Sequence, residues 1–332
     1  MDMNKKRMIA LVLAVVFVAG LFSGCSNVKG MNKKSGKYRI VCTIFPEYDW
    51  VKQIIGENSD QFELTLLLDN GVDLHSYQPT AEDILTISTC DVFVYVGGES
   101  DAWVKDALKE SMNKEMKVIN LMEILGEHVK EEEVVEGMQK EDEEEAADEE
   151  ENEAEYDEHV WLSVRNAKIL ISSISEALQE VDEENKEVYI KNTENYLSDL
   201  EELDGDYQSV VKDGTKDTLL FGDRFPFRYM TDDYDLKYYA AFVGCSAETE
   251  AGFDTIIFLA EKMDELNLNC IIVTESSDEK LARTIISNTK DKNQKVIKLD
   301  SMQSATKKDI DAGTTYLSVM TKNLEILKDA LE

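Results

Sequence analysis

Histidine is nearly absent from this chain: three residues in 332. Its five cysteines show no CxxC spacing, and no His-Glu-x-x-His run or nucleophile elbow occurs. Beyond the first two dozen residues no apolar run approaches the ~20 residues needed to span a bilayer. Each absence excludes something. Without CxxC the paired-cysteine metal and redox motifs are out. Without the hydrolase motifs, a secreted metal-dependent hydrolase is a minor alternative. Basic residues are outnumbered 35 to 69, a net charge of −34. Nucleic acid, itself polyanionic, is therefore no expected partner.

The N-terminus has the marks of an export signal. Lys5, Lys6 and Arg7 precede an apolar stretch over 8–22, and Ser23-Gly24 leads into Cys25. A basic head, a short apolar core and small residues at the exit make 1–24 an expected signal peptide. Cys25 after Ser-Gly resembles a bacterial lipobox, with Phe22 where leucine is more usual. The expected mature chain starts at a lipidated Cys25, with 25–37 a polar tether, and lies outside the plasma membrane. Cys42, Cys90, Cys245 and Cys270 remain. Cys42 and Cys270 fall in strand-like runs where free cysteine is an ordinary core residue, and no disulfide is assigned.

About three hundred residues are left, enough for two domains. Strand-like runs at 38–43, 62–68, 91–96 and 116–121 alternate with helical patterns. The alternation returns after Gly214, with runs at 218–221, 237–243, 270–274 and 295–300. That pattern predicts an α/β fold of two (β/α) lobes with parallel sheets, over 38–162 and 213–332. Between them, 163–212 carries an apolar stripe at helical spacing with no proline and no glycine before Gly205. It predicts a long linking helix or a nearly continuous pair, with Val181-Asp182 the place for a break. Segment 131–158 holds 17 acidic residues and one lysine. Such a block repels itself and is expected to be a disordered loop.

Two of the rare histidines occupy loops at the ends of elements. His75 lies in Gly71-Val-Asp-Leu-His-Ser-Tyr-Gln-Pro79, after a strand-like run; His159 lies in Glu158-His-Val-Trp-Leu-Ser163. Ligands of open α/β sheets bind beyond the carboxyl ends of the strands. His75, Asp223 and Asp300 all fall there. Neutral imidazole is the commonest protein metal ligand, and carboxylates complete zinc and manganese sites. Asp73 and Glu158, each close to one histidine, are the expected orienters of the rings. His128, beside the acidic block, reads as exposed. On residues alone a binding protein for a non-metal solute remains open.

The two histidine motifs, the lipoprotein-like signal and the long helical stretch together resemble the zinc/manganese substrate-binding lipoproteins of bacterial ABC importers. The likeness runs from Tyr38 to Glu332. It implies two lobes joined by a rigid backbone helix and an extracytoplasmic, non-enzymatic, monomeric carrier. The cargo would be Zn²⁺, or alternatively Mn²⁺, held between the lobes and delivered to a membrane permease. By the resemblance His75 and His159 match the ligands of the first lobe and Asp300 the late aspartate. The chain departs at the third ligand, whose expected position in Phe221-Gly-Asp-Arg-Phe225 holds Gly222. Asp223 is the expected substitute, with Glu248 or Glu250 the alternatives, unless Arg224 pairs with Asp223. The acidic block stands where zinc-binding relatives often carry a histidine-rich loop.

Overall fold

The computed structural model describes residues 36–139, 155–246 and 250–332. The signal, Cys25 and most of the tether, the centre of the acidic block and Glu248 lie outside the described residues. In the first lobe, β1 (Tyr38–Cys42), α1 (Phe45–Ile55), β2 (Phe62–Leu66), α2 (Ala81–Thr89), β3 (Val92–Tyr95), α3 (Val104–Lys109), β4 (Lys117–Asn120) and α4 (Leu121–Leu125) follow in order. Two helices come next, α5 (Val164–Val181) and α6 (Lys186–Asp213). The second lobe is β5 (Thr218–Phe225), α7 (Arg228–Asp233), β6 (Lys237–Val243), α8 (Phe253–Glu265), β7 (Cys270–Thr274), α9 (Lys280–Asn288), β8 (Lys295–Leu299), α10 (Lys307–Asp311) and α11 (Tyr316–Leu331).

Each lobe is built on a four-stranded parallel sheet, in the orders β2-β1-β3-β4 and β6-β5-β7-β8. The two orders are the same, the first strand of each lobe lying second in its sheet. Parallel strands are covered on both faces and so read as unbroken apolar runs; all five residues of β7 are buried. The helices start where the sequence provides caps. Thr80 and Asp83 form a reciprocal capping box at α2, and Thr315 with Ser318 does the same at α11, satisfying backbone N–H groups that have no partner within the helix.

The linking region is two helices, not one. Ser175 meets Thr193, Lys168 meets Glu201 and Arg165 meets Asp204. As the first number rises the second falls, so α5 and α6 run antiparallel, side by side. Asp182 causes the break: its backbone leaves the helical region, and its buried carboxylate accepts hydrogen bonds from Asn185 Nδ2 and Tyr189 Oη, both at 2.7 Å. The 28-residue α6 is the long element and packs on α1, α5 and α11. One apolar cluster runs from Ile40 and Trp50 through Tyr189, Leu200 and Tyr207 to Phe221 and Leu327, so the two lobes share a core. No described helix is long and apolar enough to cross a membrane.

The acidic block departs from its expected disorder at both ends. Residues 131–139 and 155–158 are built into the fold. Glu132 N donates to Glu155 O, and Asp157 N to Lys130 O, both at 2.9 Å, so the two flanks pair as a ribbon. That ribbon lies on the second lobe: Gln139 N donates to Ala241 O at 2.8 Å, and Met138, Asp157 and Glu158 are buried. Gly137, at φ +85°, lets the chain pass within contact of the Phe258 ring, where any Cβ would collide with it. The charge density of the block as a whole conceals these flanks, of which Met138 and Val135 supply the apolar surface that packs against the core.

Candidate metal site

The first histidine is set by a short turn. Leu74–Ser76 is a single 3-10 turn, and the Asp73 carboxylate caps it by accepting from His75 N at 3.0 Å. The second is set by a tight reversal after the acidic ribbon, in which Asp157 Oδ1 accepts from both His159 N, at 2.8 Å, and His159 Nδ1, at 2.9 Å. These two turns bring rings that are 84 positions apart together at their edges, tilted by 56°, with Nε2 to Nε2 at 3.1 Å. His159 is fully buried and its ring packs against that of Trp161, centroids 5.3 Å apart.

The rings are oriented from behind. His75 Nδ1 lies 2.8 Å from Ser100 Oγ and 3.5 Å from Glu158 Oε2. Glu158 accepts from Ser100 N at 2.9 Å through its other oxygen, and its Oε2 is buried with no hydrogen bond of its own. Gly98, at φ +78°, makes this possible: a Cβ there would overlap the Glu158 carboxylate at 2.2 Å. The expected orienters are thus corrected. Glu158 backs His75, not its neighbour His159. Asp73 caps the turn under His75 and spends its other oxygen on Arg224, 2.7 Å away. The group that holds His159 is Asp157, which the sequence reading passed over. Asp157 stands two residues before its histidine, as Asp73 does before His75, whereas the directly adjacent Glu158 reaches the other ring.

Burial, and after it the neighbouring His159 charge, hold the His75 pKa down to about 3 although Asp73 pulls the other way. At His159 burial also disfavours the cation, but Asp157 and then Glu158 and Asp73 outweigh it and raise the pKa. The two environments thus push the rings in opposite directions, His159 toward and His75 away from the cation; neutral imidazole is the form that binds metals.

The remaining sequence candidates do not join the histidines. Among the described residues, the one group of three or more His, Cys, Asp or Glu able to hold an ion is His75, His159 and Cys245, whose ligand atoms lie within 4.8 Å of one another. Asp223 is occupied elsewhere. Strand β5 does not stop at Phe221 but continues through a register shift to Phe225, so Asp223 is inside a strand. Its Oδ2 accepts from Thr274 N and Oγ1 on β7, at 3.1 and 3.0 Å, and its Oδ1 accepts from Arg224 N at 2.9 Å. The Arg224 guanidinium goes to Asp73, not Asp223. Gly222 has a packing reason: a Cβ there would lie 2.6 Å from Ile271 and 2.9 Å from Ala282 of α9, so no side chain fits.

Asp300 is likewise used by its own loop. Its Oδ1 accepts from Met302 N at 2.8 Å, while its backbone is held by Asn323. Burial and then Glu275 push its carboxyl up to about 6. Glu250 is exposed. Cys245 was legible by the same rule that singled out Asp300: it follows strand β6 by one residue beyond Gly244, at the carboxyl edge of the sheet. Considered only for bridges and core packing, it was missed.

The fit to a divalent ion is close. Zinc at ~2.0–2.1 Å from each of two nitrogens in tetrahedral geometry holds them about 3.3 Å apart. With Nε2 of both rings turned to the ion, each Nδ1 carries a proton, donated by His159 to Asp157 and by His75 toward Ser100 and the unpartnered Glu158 oxygen. Outer partners of this kind fix the ring and raise its basicity. Asp157→Asn is accordingly expected to weaken zinc binding ~10–100-fold, read by competition against a chromogenic chelator. An unchanged affinity would show that the Asp157 charge does not support the ring.

Comparison with known proteins gives one consistent picture. The sequence model of a family described as zinc-uptake complex component A, periplasmic, matches residues 40–330. The high-affinity zinc uptake system protein ZnuA of Bacillus subtilis is 30% identical over 330 residues, covering 99% of both chains. The zinc-binding protein AdcA of Streptococcus pyogenes is 28% identical over 330 residues; they are 98% of this chain but 61% of that relative, so the chain spans about three fifths of its length. Among solved structures, the Zn(II)-bound ZnuA-like domain of Streptococcus pneumoniae AdcA superposes with a TM-score of 0.68 at 28% identity, covering 89% of this chain and 99% of that one.

Proposed function

The chain belongs to the zinc-uptake complex component A family, and from that premise we propose that it captures a zinc ion between its lobes outside the cell. It then delivers the ion to the permease of an ABC importer, staying tethered to the membrane through Cys25. The observation that carries the reading is the pair of imidazole nitrogens 3.1 Å apart, each ring braced from behind by a protein oxygen. Two convergent lone pairs with fixed tautomers suit a borderline cation and have no obvious use with an organic solute. Zinc is favoured over manganese by the nitrogen donors, since manganese prefers oxygen, and by the names of the relatives. Elemental analysis of the purified protein, followed by competitive titration with Zn²⁺ and Mn²⁺, tests the proposal; one tightly held zinc per chain is expected, and a preference for manganese would refute the metal assignment.

The role of the acidic segment follows from its charge. Residues 140–154 contain ten acids and one lysine. A negative field of that density raises the local cation concentration and the association rate without adding a ligand. Deleting 140–154 while keeping the paired flanks is expected to leave equilibrium zinc affinity unchanged. It should slow association at low ionic strength, measured by stopped-flow. A fall in equilibrium affinity would show instead that the segment supplies ligands. The deletion must spare Glu132 and Asp157, which contact site residues directly.

A further inference from the structure

We infer that Cys245 is the third protein ligand of the site, binding zinc as a thiolate and making this a two-histidine, one-cysteine centre that discriminates against manganese. The inference rests on the zinc-capture reading and deepens it. The observation behind it is geometric. Cys245 Sγ lies within 4.8 Å of a ligand nitrogen on each histidine, and no other described Cys, Asp or Glu completes such a group.

The loop carrying it is built to approach His159. Gly244 passes so close that a Cβ would lie 3.1 Å from the His159 ring and 2.9 Å from Phe225 O. The next residue is anchored by Cys245 N donating to Glu132 Oε1 at 2.9 Å. Thus the acidic ribbon of the first lobe fixes the backbone of the one donor supplied by the second lobe. A second feature bears on which His75 nitrogen faces the centre. The buried Glu158 Oε2, which has no hydrogen bond, lies 3.5 Å from His75 Nδ1, and a proton on that nitrogen leaves the Nε2 lone pair for the centre.

Empty, the thiol is a poor anion: burial first, then the Glu132 and Asp157 charges, drive its pKa upward. A divalent cation at the two nitrogens reverses that electrostatic balance, since a coordinating thiol is deprotonated outright. The S–Zn bond forms as the S–H bond breaks, the proton leaves to solvent, and a water completes the tetrahedron. Zn–S bonds run to ~2.3 Å, so the loop has to close by a fraction of its present distance. Two of the oxygen donors named by the sequence, Asp223 and Asp300, already accept from backbone N–H groups. Thiolate and imidazole together favour zinc, whereas manganese selects carboxylate, carbonyl and water oxygens.

The test uses the whole chain and Co²⁺ as a spectroscopic substitute for zinc. The wild-type cobalt complex should show an intense near-ultraviolet sulfur-to-cobalt charge-transfer band that disappears in Cys245→Ser. The serine variant should keep the melting temperature of the metal-free protein. It should lose ~10-fold or more in zinc affinity with little change toward Mn²⁺, narrowing the selectivity. Absence of the band in the wild type, or its persistence in Cys245→Ser, would overturn the assignment. If Cys245→Ser fails to fold, the wild-type band and its absence in Cys245→Ala decide the matter. Failure of the broader reading looks different: zinc itself would not bind, or would bind undiminished when either histidine is replaced.

Discussion

Replacing His75 with alanine is expected to lower zinc affinity by more than ~100-fold, beyond the range seen when only an outer partner of a ligand is lost. The same loss is expected at His159. The two positions differ in what else changes. His75 is on a short turn capped by Asp73, and its ring is not part of the apolar core, so His75→Ala should fold as the wild type does. His159 is fully buried against Trp161, and alanine would leave both a cavity and an Asp157 carboxylate without its ring partner. His159→Gln keeps volume and a donor near Asp157, and separates loss of coordination from loss of packing. Competition titration gives the affinity, and the melting temperature of the metal-free proteins controls for folding. Tight, stoichiometric zinc in both variants would end the proposal that these rings hold the cargo.

Trp161→Ala is expected to cost about 3–5 kcal/mol of stability, the range for removing a buried tryptophan from a core. The position is a keystone between the lobes. Its indole is fully buried, Nε1 donates to Ser301 O at 2.9 Å, and its own carbonyl accepts from Tyr316 Oη at 2.8 Å. Truncation would therefore open a cavity beside His159 and leave the Ser301 carbonyl without its donor, a buried loss of about 1–3 kcal/mol in its own right. Trp161→Phe restores most of the volume but not the donor, and should recover most of the stability. Chemical denaturation of the metal-free protein measures both. Equal stability of the alanine variant and the wild type would mean that the lobes are not joined through this residue. Zinc binding should also weaken, because the ring that packs against His159 is gone.

The site is supported at several places where the two lobes meet. Tyr316 N, at the start of the last helix, donates to Asp49 Oδ2 of α1 at 2.8 Å. Lys307 N donates to Asp69 O at 2.7 Å, and Arg224 pairs with Asp73. The His75 loop is thus fastened to the second lobe on both sides. Behind these loop contacts lies the shared core built on α6 and α11.

Much of this was readable from residues alone. The eight strands fall where apolar runs alternate with helical stripes, and their parallel pairing follows from that alternation, because parallel strands need a crossover between them. The rarity of histidine and its position at element ends picked out both rings. What the chain's pattern could not supply was direction. Glu158 and Asp157 are neighbours, and only the turn geometry decides which one faces which imidazole. Asp223 looked like a loop residue because the apolar run stops at Phe221, yet β5 continues through a bulge and the carboxylate is taken by Thr274. The break was expected at Val181-Asp182, but not that the two helices fold back against each other.

The sequence by itself determined the class of fold and singled out the two histidines, with zinc or manganese left open, because periodicity and residue chemistry are local properties. The tertiary structure alone decided that Cys245 meets those histidines, that Asp223 and Asp300 serve their own backbones, and that the flanks of an acidic block become part of the wall. Those outcomes depend on which loops the packing of two sheets brings within a few ångströms, and no local pattern in the chain encodes a distance between residues 75, 159 and 245.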